Sequence, residues 1–328
     1  VRIGAILPHT LVFGGVRRYI ELGNRFIARG HRFSIYTIDG APPAWLSFDG
    51  EVATLGALGD AENDVMLCGS PELLPHLDRA KTRVRIFYLQ IEGVDKEESI
   101  VRSGRYHVMV NSRGLARRTR RLYRVEPLDG RGGINPALFH PAAERPAGGP
   151  FKILCYGRTW RPRKGTRFVV EAVRTLRRRG LDVELQLFDA ARDGGRDPRI
   201  GFEPGVPWRF YLDLPQERMA AMYGAADVFV SAERRAGWSN TAAEAAACGV
   251  PLVCTRSGTE DFAVDGESAI VVPARGSFWL VRALGALARD GELRERMGRE
   301  AARRMREFTW DALCARMERT FNELLAGV

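Results

Sequence analysis

Residues 2–38 read RIGAILPHTLVFGGVRRYIELGNRFIARGHRFSIYTI. The apolar run Ile3 to Leu7 has the length of a buried strand, and Gly14-Gly15 permits a tight turn. Val16, Tyr19, Ile20, Phe26 and Ile27 then recur on one helical face, and Gly30 ends the helix. Arg32 to Ile38 follows at once as a second apolar run. Strand, glycine turn, helix and strand within about 35 residues make a right-handed parallel unit, with its turn at the carboxyl end of the sheet.

The same alternation continues outward. Strand signals recur at Asp64 to Cys68, Val84 to Leu89 and His107 to Asn111, the last leading into the helical pattern RGLARRTRRLYR. These complete a first doubly wound α/β domain. Around Pro141 to Pro150 the string PAAERPAGGP has three prolines and two glycines without periodicity, so it reads as a linker. Beyond it the alternation restarts with strand Lys152 to Tyr156, helix Arg167 to Arg179 and strand Val183 to Phe188. Further strands are expected near Val228 to Val230, Pro251 to Cys254 and Ala269 to Val272. From Glu292 to Leu325 the pattern is helical, with an interruption near Phe308-Thr309-Trp310. The expected division is 1–145, 146–306 and a terminal helix over 307–328.

Composition limits the function classes. At 328 residues the chain has room for two cores, and its 45% hydrophobic content is that of an ordinary globular protein. No run approaches the roughly 18 apolar residues of a membrane span, and VRIGAILPHT lacks a basic stretch followed by a long apolar one. A cytoplasmic protein is the expectation. Five widely spaced cysteines (Cys68, Cys155, Cys248, Cys254, Cys314) suggest neither disulfides nor a zinc site. The five histidines (His9, His31, His76, His107, His140) lack metal-ligand spacing and are expected to be structural. The net charge of +10 suits phosphate-bearing or acidic-surface partners.

In open parallel sheets ligands bind beyond the carboxyl ends of strands, so the loops there carry the candidate chemistry. Gly14 and Gly15 precede the first helix, where absent side chains let an anion approach backbone N–H groups. In GRTWRPRKG, Arg158 and Lys164 flank a turn after the first strand of the second domain. Two fixed cations there suit a diphosphate, with Arg able to grip two oxygens, or form a solvated basic loop. The third stretch is SAERRAGWSNTAAEAAACGVPLVCT, running from a strand end through Gly237 into an alanine-rich helix. Ser239, Asn240 and Thr241 are cap residues, so the helix start points N–H groups into the crevice. Glu244, on the first turns of this apolar helix, is explained by a partner such as a ribose diol or by a favourable helix dipole.

Together these residues resemble the retaining glycosyltransferases of family 4. RIGAILP with GGVRRYIELGNRFIARGH is similar to that family's first strand, glycine loop and helix, and GGINPALFHP to its domain junction. GRTWRPRKG, MAAMYGAADVFVSAE and TAAEAAACGVPLVCTRSGTEDFAVDGESAIVVP are similar to its donor-binding half. REFTWDALCARMERTF resembles its terminal helix, which crosses back to the first domain. The resemblance implies the GT-B arrangement, two Rossmann-like domains facing a central cleft, with an N-terminal acceptor-side domain and a C-terminal nucleotide-sugar domain.

It further implies that Arg158 and Lys164 are the catalytic cations on the donor diphosphate and that Glu244 holds the ribose hydroxyls. Backbone N–H groups from Trp238 to Thr241 would meet sugar and phosphates. The family's first glutamate falls at Ala236, so either Glu233 or Asn240 takes its role, or the donor sugar is handled differently. The family's first-domain histidine is replaced by FYLQIEGVDKEE, which puts Gln90 and Glu92 in its place. No Asp-x-Asp pair occurs, so the expected chemistry is metal-independent and without a cofactor, the donor being a nucleotide sugar with UDP or dTDP favoured.

The implied activity is transfer of a hexosyl-type sugar to a hydroxyl of a glycan, lipid-linked or small-molecule acceptor, with no nucleic acid involved. A non-catalytic nucleotide-sugar-binding homologue is the alternative prompted by Ala236. A binder of nucleic acid or anionic membrane is a third reading, prompted by Arg117, Arg118, Arg120, Arg121 and Arg124, which would place the protein peripherally at an inner membrane face.

Overall fold

A computed structural model describes residues 1–142, 148–190, 197–274 and 276–327. Contacts divide the chain into two units: Val1–Gly133 with Phe308–Val328, and Ile134–Glu307. Of the linker stretch Pro141 to Pro150, positions 143–147 lie outside the described residues.

The first unit contains strands β1 (Arg2–Ile6), β2 (Arg32–Thr37), β3 (Glu51–Thr54), β4 (Glu62–Cys68), β5 (Lys81–Leu89), β6 (His107–Val110) and β7 (Leu128–Asp129). Helices α1 (Gly14–Ala28), α2 (Leu74–Arg79), α3 (Glu97–Arg102) and α4 (Arg113–Tyr123) connect them. Every pairing is parallel, in the order β3-β2-β1-β4-β5-β6-β7. Central strands bury nearly continuous apolar runs because helices cover both faces: Ile3, Ala5, Val65, Leu67 and Ile86 are all essentially inaccessible.

The second unit has β8 (Phe151–Tyr156), β9 (Val183–Asp189), β10 (Trp208–Leu212), β11 (Val228–Ser231), β12 (Leu252–Cys254) and β13 (Ala269–Val271). Its helices are α5 (Thr166–Arg178), α6 (Gln216–Gly224), α7 (Asn240–Ala247), α8 (Phe278–Arg289) and α9 (Gly291–Met305). The sheet order is β10-β9-β8-β11-β12-β13, again parallel. Counted within the unit, this is the doubly wound order 3-2-1-4-5-6, whose direction reverses between its first and fourth strands. The crevice for a ligand therefore lies beyond the carboxyl ends of β8 and β11.

The interruption expected near Thr309 is a helix boundary. Thr309 caps α10 (Trp310–Ala326) by accepting a hydrogen bond from the Ala312 N–H at 3.1 Å. This helix packs within the first unit, its Phe321 ring stacked 5.7 Å from Phe26, while Glu318 accepts hydrogen bonds from Arg29 and lies 3.0 Å from His31 Nε2.

All five cysteines are buried, and burial pushes the Cys155 and Cys254 thiols up to about 12, so they behave as small core residues. Among the described residues no helix is long and apolar enough to cross a membrane.

Candidate functional site

In the second unit the loop after β8 and the loop after β11 meet at the reversal point. Gly165 makes this possible: its φ is +71°, and a Cβ there would lie 2.2 Å from the Ala232 carbonyl oxygen. Only glycine permits both the left-handed backbone and that approach. The Arg234 N–H also donates to the Arg163 carbonyl at 2.9 Å, tying one loop to the other.

Arg158 and Lys164 converge on one ring. The Arg158 guanidinium carbon lies 4.9 Å, and Lys164 Nζ 5.2 Å, from the centre of Tyr156, the last residue of β8. Neither cation is a bare crevice charge. Arg158 Nε donates to Asp189 Oδ1 at 3.1 Å, and Lys164 Nζ to Glu233 Oε2 at 2.7 Å. Both carboxylates are buried, and Ser239 Oγ lies 3.5 Å from the other Glu233 oxygen. Burial pushes the Tyr156 phenol far above its ordinary range, with the Asp189 charge adding to the shift and Arg158 opposing it, so the ring stays neutral beneath the two cations.

A small cavity between the loops is lined by Tyr156, Lys164, Thr166, Ser231, Glu233 and Thr241. The buried Ser231 Oγ there makes no hydrogen bond among the described residues, which marks a point where a bound polar group would be satisfied.

The start of α7 differs from expectation in one respect. Its first residue is Asn240, but the Ser239 N–H donates to the Gly258 carbonyl at 2.9 Å, so this donor is used within the fold and does not face a ligand. Gly237 and Trp238 are buried, the Trp238 ring packing 5.0 Å from Phe262. Asn240 and Thr241 are half-buried and begin the helix, where its geometry directs N–H groups outward. Glu244 is also buried, and its Oε2 accepts a hydrogen bond from the Tyr223 hydroxyl at 2.8 Å. This internal partner accounts for a carboxylate on an apolar helix and orients it.

The first-unit candidates lie in a different unit and form their own group. Gly14 and Gly15 are the first two residues of α1, and neither has a left-handed backbone. Gly15 lets Gln90 approach closely: a Cβ there would sit 3.0 Å from Gln90 Oε1. Gln90 follows β5, and Asn111 Nδ2 donates to its carbonyl at 3.1 Å. Glu92 turns away from this pair, its Oε2 lying 3.9 Å from Arg118 Nε.

Asp189, Tyr156 and Tyr223 were not singled out from the sequence. The available signal was position, since Tyr156 and Asp189 end adjacent strands at the ligand-binding edge.

Residues 150–290 match the family model described as Glycosyl transferases group 1. A D-inositol 3-phosphate glycosyltransferase of Corynebacterium glutamicum is 29% identical over 185 residues, 54% of this chain and 44% of that protein. An MMP alpha-(1->4)-mannosyltransferase of Mycolicibacterium hassiacum is also 29% identical, over 60% of this chain and 48% of its own. The chain spans about half the length of the curated relatives it matches. Among solved structures, sucrose-phosphate synthase from Thermosynechococcus elongatus superposes with a TM-score of 0.78 at 18% identity, covering 99% of both chains. HepE of Anabaena, solved with UDP, gives 0.76 at 14% identity, covering 98% of this chain and 100% of its own. These likenesses identify the fold as GT-B.

Proposed function

We propose, on the match of residues 150–290 to the glycosyl transferases group 1 model, that the chain moves a sugar from a nucleoside diphosphate sugar to an acceptor hydroxyl with retention of configuration. The observation that carries the proposal is the convergence of Arg158 and Lys164 on Tyr156 where the sheet order reverses. In the reaction the bond from the anomeric carbon to the phosphate oxygen breaks, and a bond from that carbon to the acceptor oxygen forms. The hydroxyl proton and the nucleoside diphosphate are released.

Negative charge builds on the leaving diphosphate as its bond to the sugar breaks. Arg158 and Lys164, held in place before the substrate arrives, lower the energy of that state more than the ground state. Asp189 and Glu233 orient the two cations, and the diphosphate takes over part of their hydrogen bonding. Glu244, fixed by Tyr223, is assigned to the ribose hydroxyls, and the start of α7 to the phosphates and sugar. UDP is the favoured nucleotide, supported by the HepE structures with UDP and UDP-glucose. Glycans, lipid-linked sugars and small molecules are the acceptor classes. No metal enters the scheme.

The test is release of the nucleoside diphosphate from a panel of UDP-, dTDP- and GDP-sugars, with and without acceptor alcohols. Turnover of at least one donor, lost in Arg158→Ala, supports the proposal. Ala236, at the position of the glutamate that the family resemblance implies, favours a second reading in which the donor binds without being turned over. Donor binding with no release of diphosphate under any condition would select it.

A further inference from the structure

A separate groove lies in the first unit, along α4. Its volume is about 750 Å3, and its lining includes Arg113, Arg117, Arg120, Arg121, Arg124 and Arg131 against the single carboxylate Asp129. We propose that this groove holds a linear anionic glycan, an oligosaccharide bearing carboxylate, phosphate or sulfate along its length, and that this is the acceptor of the transfer reaction. Only the word acceptor rests on the function proposed above; the groove and its ligand class stand on their own observations.

The sequence pattern and the structure place these arginines differently. Arg118 leaves the basic patch: it lies 28% exposed with Nε 3.1 Å from the buried Glu97 and its guanidinium 5.8 Å from the Tyr123 ring. Arg120 makes a two-pronged contact with Glu126 at 2.6 and 2.7 Å. Arg113, Arg117 and Arg121 are exposed on the α4 face that borders the groove, at steps of four residues, and Arg124, the left-handed residue that ends the helix, is exposed three residues further on. At 1.5 Å per residue they form a row of charge roughly 16 Å long. A linear ligand with regularly placed anionic groups can meet such a row, and each contact can be two-pronged because the partners are guanidinium groups.

Opposite the row lies the sheet edge. Pro127 and Leu128 from the β7 region, with Val110, supply a narrow apolar floor suited to the CH faces of sugar rings, and Asp129 beside them is paired with Arg131. The lining contains no aromatic ring, so the stacking platforms that single-stranded nucleic acids use are missing from it. Its concave shape does not suit a flat bilayer, which is met by a convex face carrying apolar side chains. One end of the groove, at Arg113 and Arg131, opens just past the carboxyl ends of β6 and β7, the edge of a parallel sheet at which ligands are bound.

The experiment uses the whole chain and oligogalacturonates of increasing length, with neutral maltooligosaccharides of the same lengths as control. A thymidine oligonucleotide and vesicles containing phosphatidylglycerol form two further arms. The expected result is salt-sensitive oligogalacturonate binding that strengthens with length until the ligand outruns the roughly 16 Å row and then levels off. Neutral chains should bind at least tenfold more weakly. The exposed triple substitution Arg117→Gln, Arg121→Gln and Arg124→Gln should weaken oligogalacturonate binding at least tenfold while the thermal response to UDP stays as in the wild type. Equal binding by wild type and triple variant overturns the proposal. So does dependence of oligonucleotide or vesicle binding on these arginines when oligogalacturonate binding does not depend on them. Absence of a UDP response in the wild type would overturn the donor reading instead, and the oligosaccharide arm would still decide the groove.

Discussion

Lys164 Nζ lies 2.7 Å from Glu233 Oε2, so the cation of one reversal-point loop is held by a buried carboxylate of the other. In the fold the lysine neutralises a carboxylate that is 4% exposed, and in the proposed function it also orients charge for a diphosphate. Lys164→Ala should therefore cost stability as well as activity. Leaving a buried charge unpaired costs about 3 kcal/mol, a fall of roughly 5–10 °C in the midpoint of a domain this size. Loss of a transition-state contact of about 3 kcal/mol lowers transfer by roughly a hundredfold or more. Lys164→Ala with Glu233→Gln should regain most of the midpoint but not the transfer rate. Thermal melts and initial rates on the four proteins of this cycle check both halves, and a Lys164→Ala protein with normal melting and normal turnover would count against the assignment.

The glutamate that the family resemblance implies falls at Ala236. The Ala236 N–H donates to Ser257 Oγ at 2.9 Å, and its Cβ lies 2.8 Å from where a side chain on Gly258 would begin. Ala236→Glu thus introduces a carboxylate beside a close-packed loop, on the part of the site assigned to the sugar. Discrimination between nucleotide sugar and free nucleotide should change by roughly tenfold or more, while affinity for free UDP changes little. Titrating both ligands against both proteins checks this. Equal weakening of the two would show that the position does not face the sugar.

Transfer should continue in the presence of a chelator, since the account assigns leaving-group stabilisation to Arg158, Lys164 and the start of α7. Initial rates with and without EDTA are the measurement. Complete loss in EDTA with recovery on adding magnesium or manganese would contradict that assignment.

The terminal helix gives a pH dependence. Hydrogen bonds from Arg29, and after it His31, hold the Glu318 carboxyl below its ordinary value of 4.5. A depressed folded pKa contributes stability that is complete above the unfolded value and disappears as the pH falls through the folded one. Glu318→Gln should accordingly lower the stability of the first unit by up to about 1 kcal/mol near neutral pH. The gap to wild type should close on acidification. Parallel melts of both proteins across the acid range test this, and a gap that widens on acidification would reverse the sign.

Much of the architecture was legible because central strands of parallel sheets are buried on both faces and appear as unbroken apolar runs. The strands that escaped notice are β3, β7 and β10, all at sheet edges, where side chains are half-buried or exposed and the apolar signal fades. Arg158 and Lys164 were legible because both sit in a single loop directly after a strand. Their partners were not, since pairing Arg158 with Asp189 depends on the register of β8 against β9, and pairing Lys164 with Glu233 on how two loops meet over Gly165. What the sequence does not show at the glycine pair is that Gly15 faces Gln90, a contact across 75 residues of sequence that no local pattern carries.

The most direct test of the central claim is nucleotide binding to the wild type and to Arg158→Ala, measured as thermal shift with UDP, dTDP, GDP and ADP. At a free concentration a hundred times the dissociation constant, binding stabilises the donor domain by about 2.7 kcal/mol, or very roughly 5–10 °C. The account predicts such a shift for one or two nucleotides, with UDP foremost, and its loss in Arg158→Ala. No shift with any nucleoside diphosphate, or the same shift in the variant as in the wild type, would contradict it.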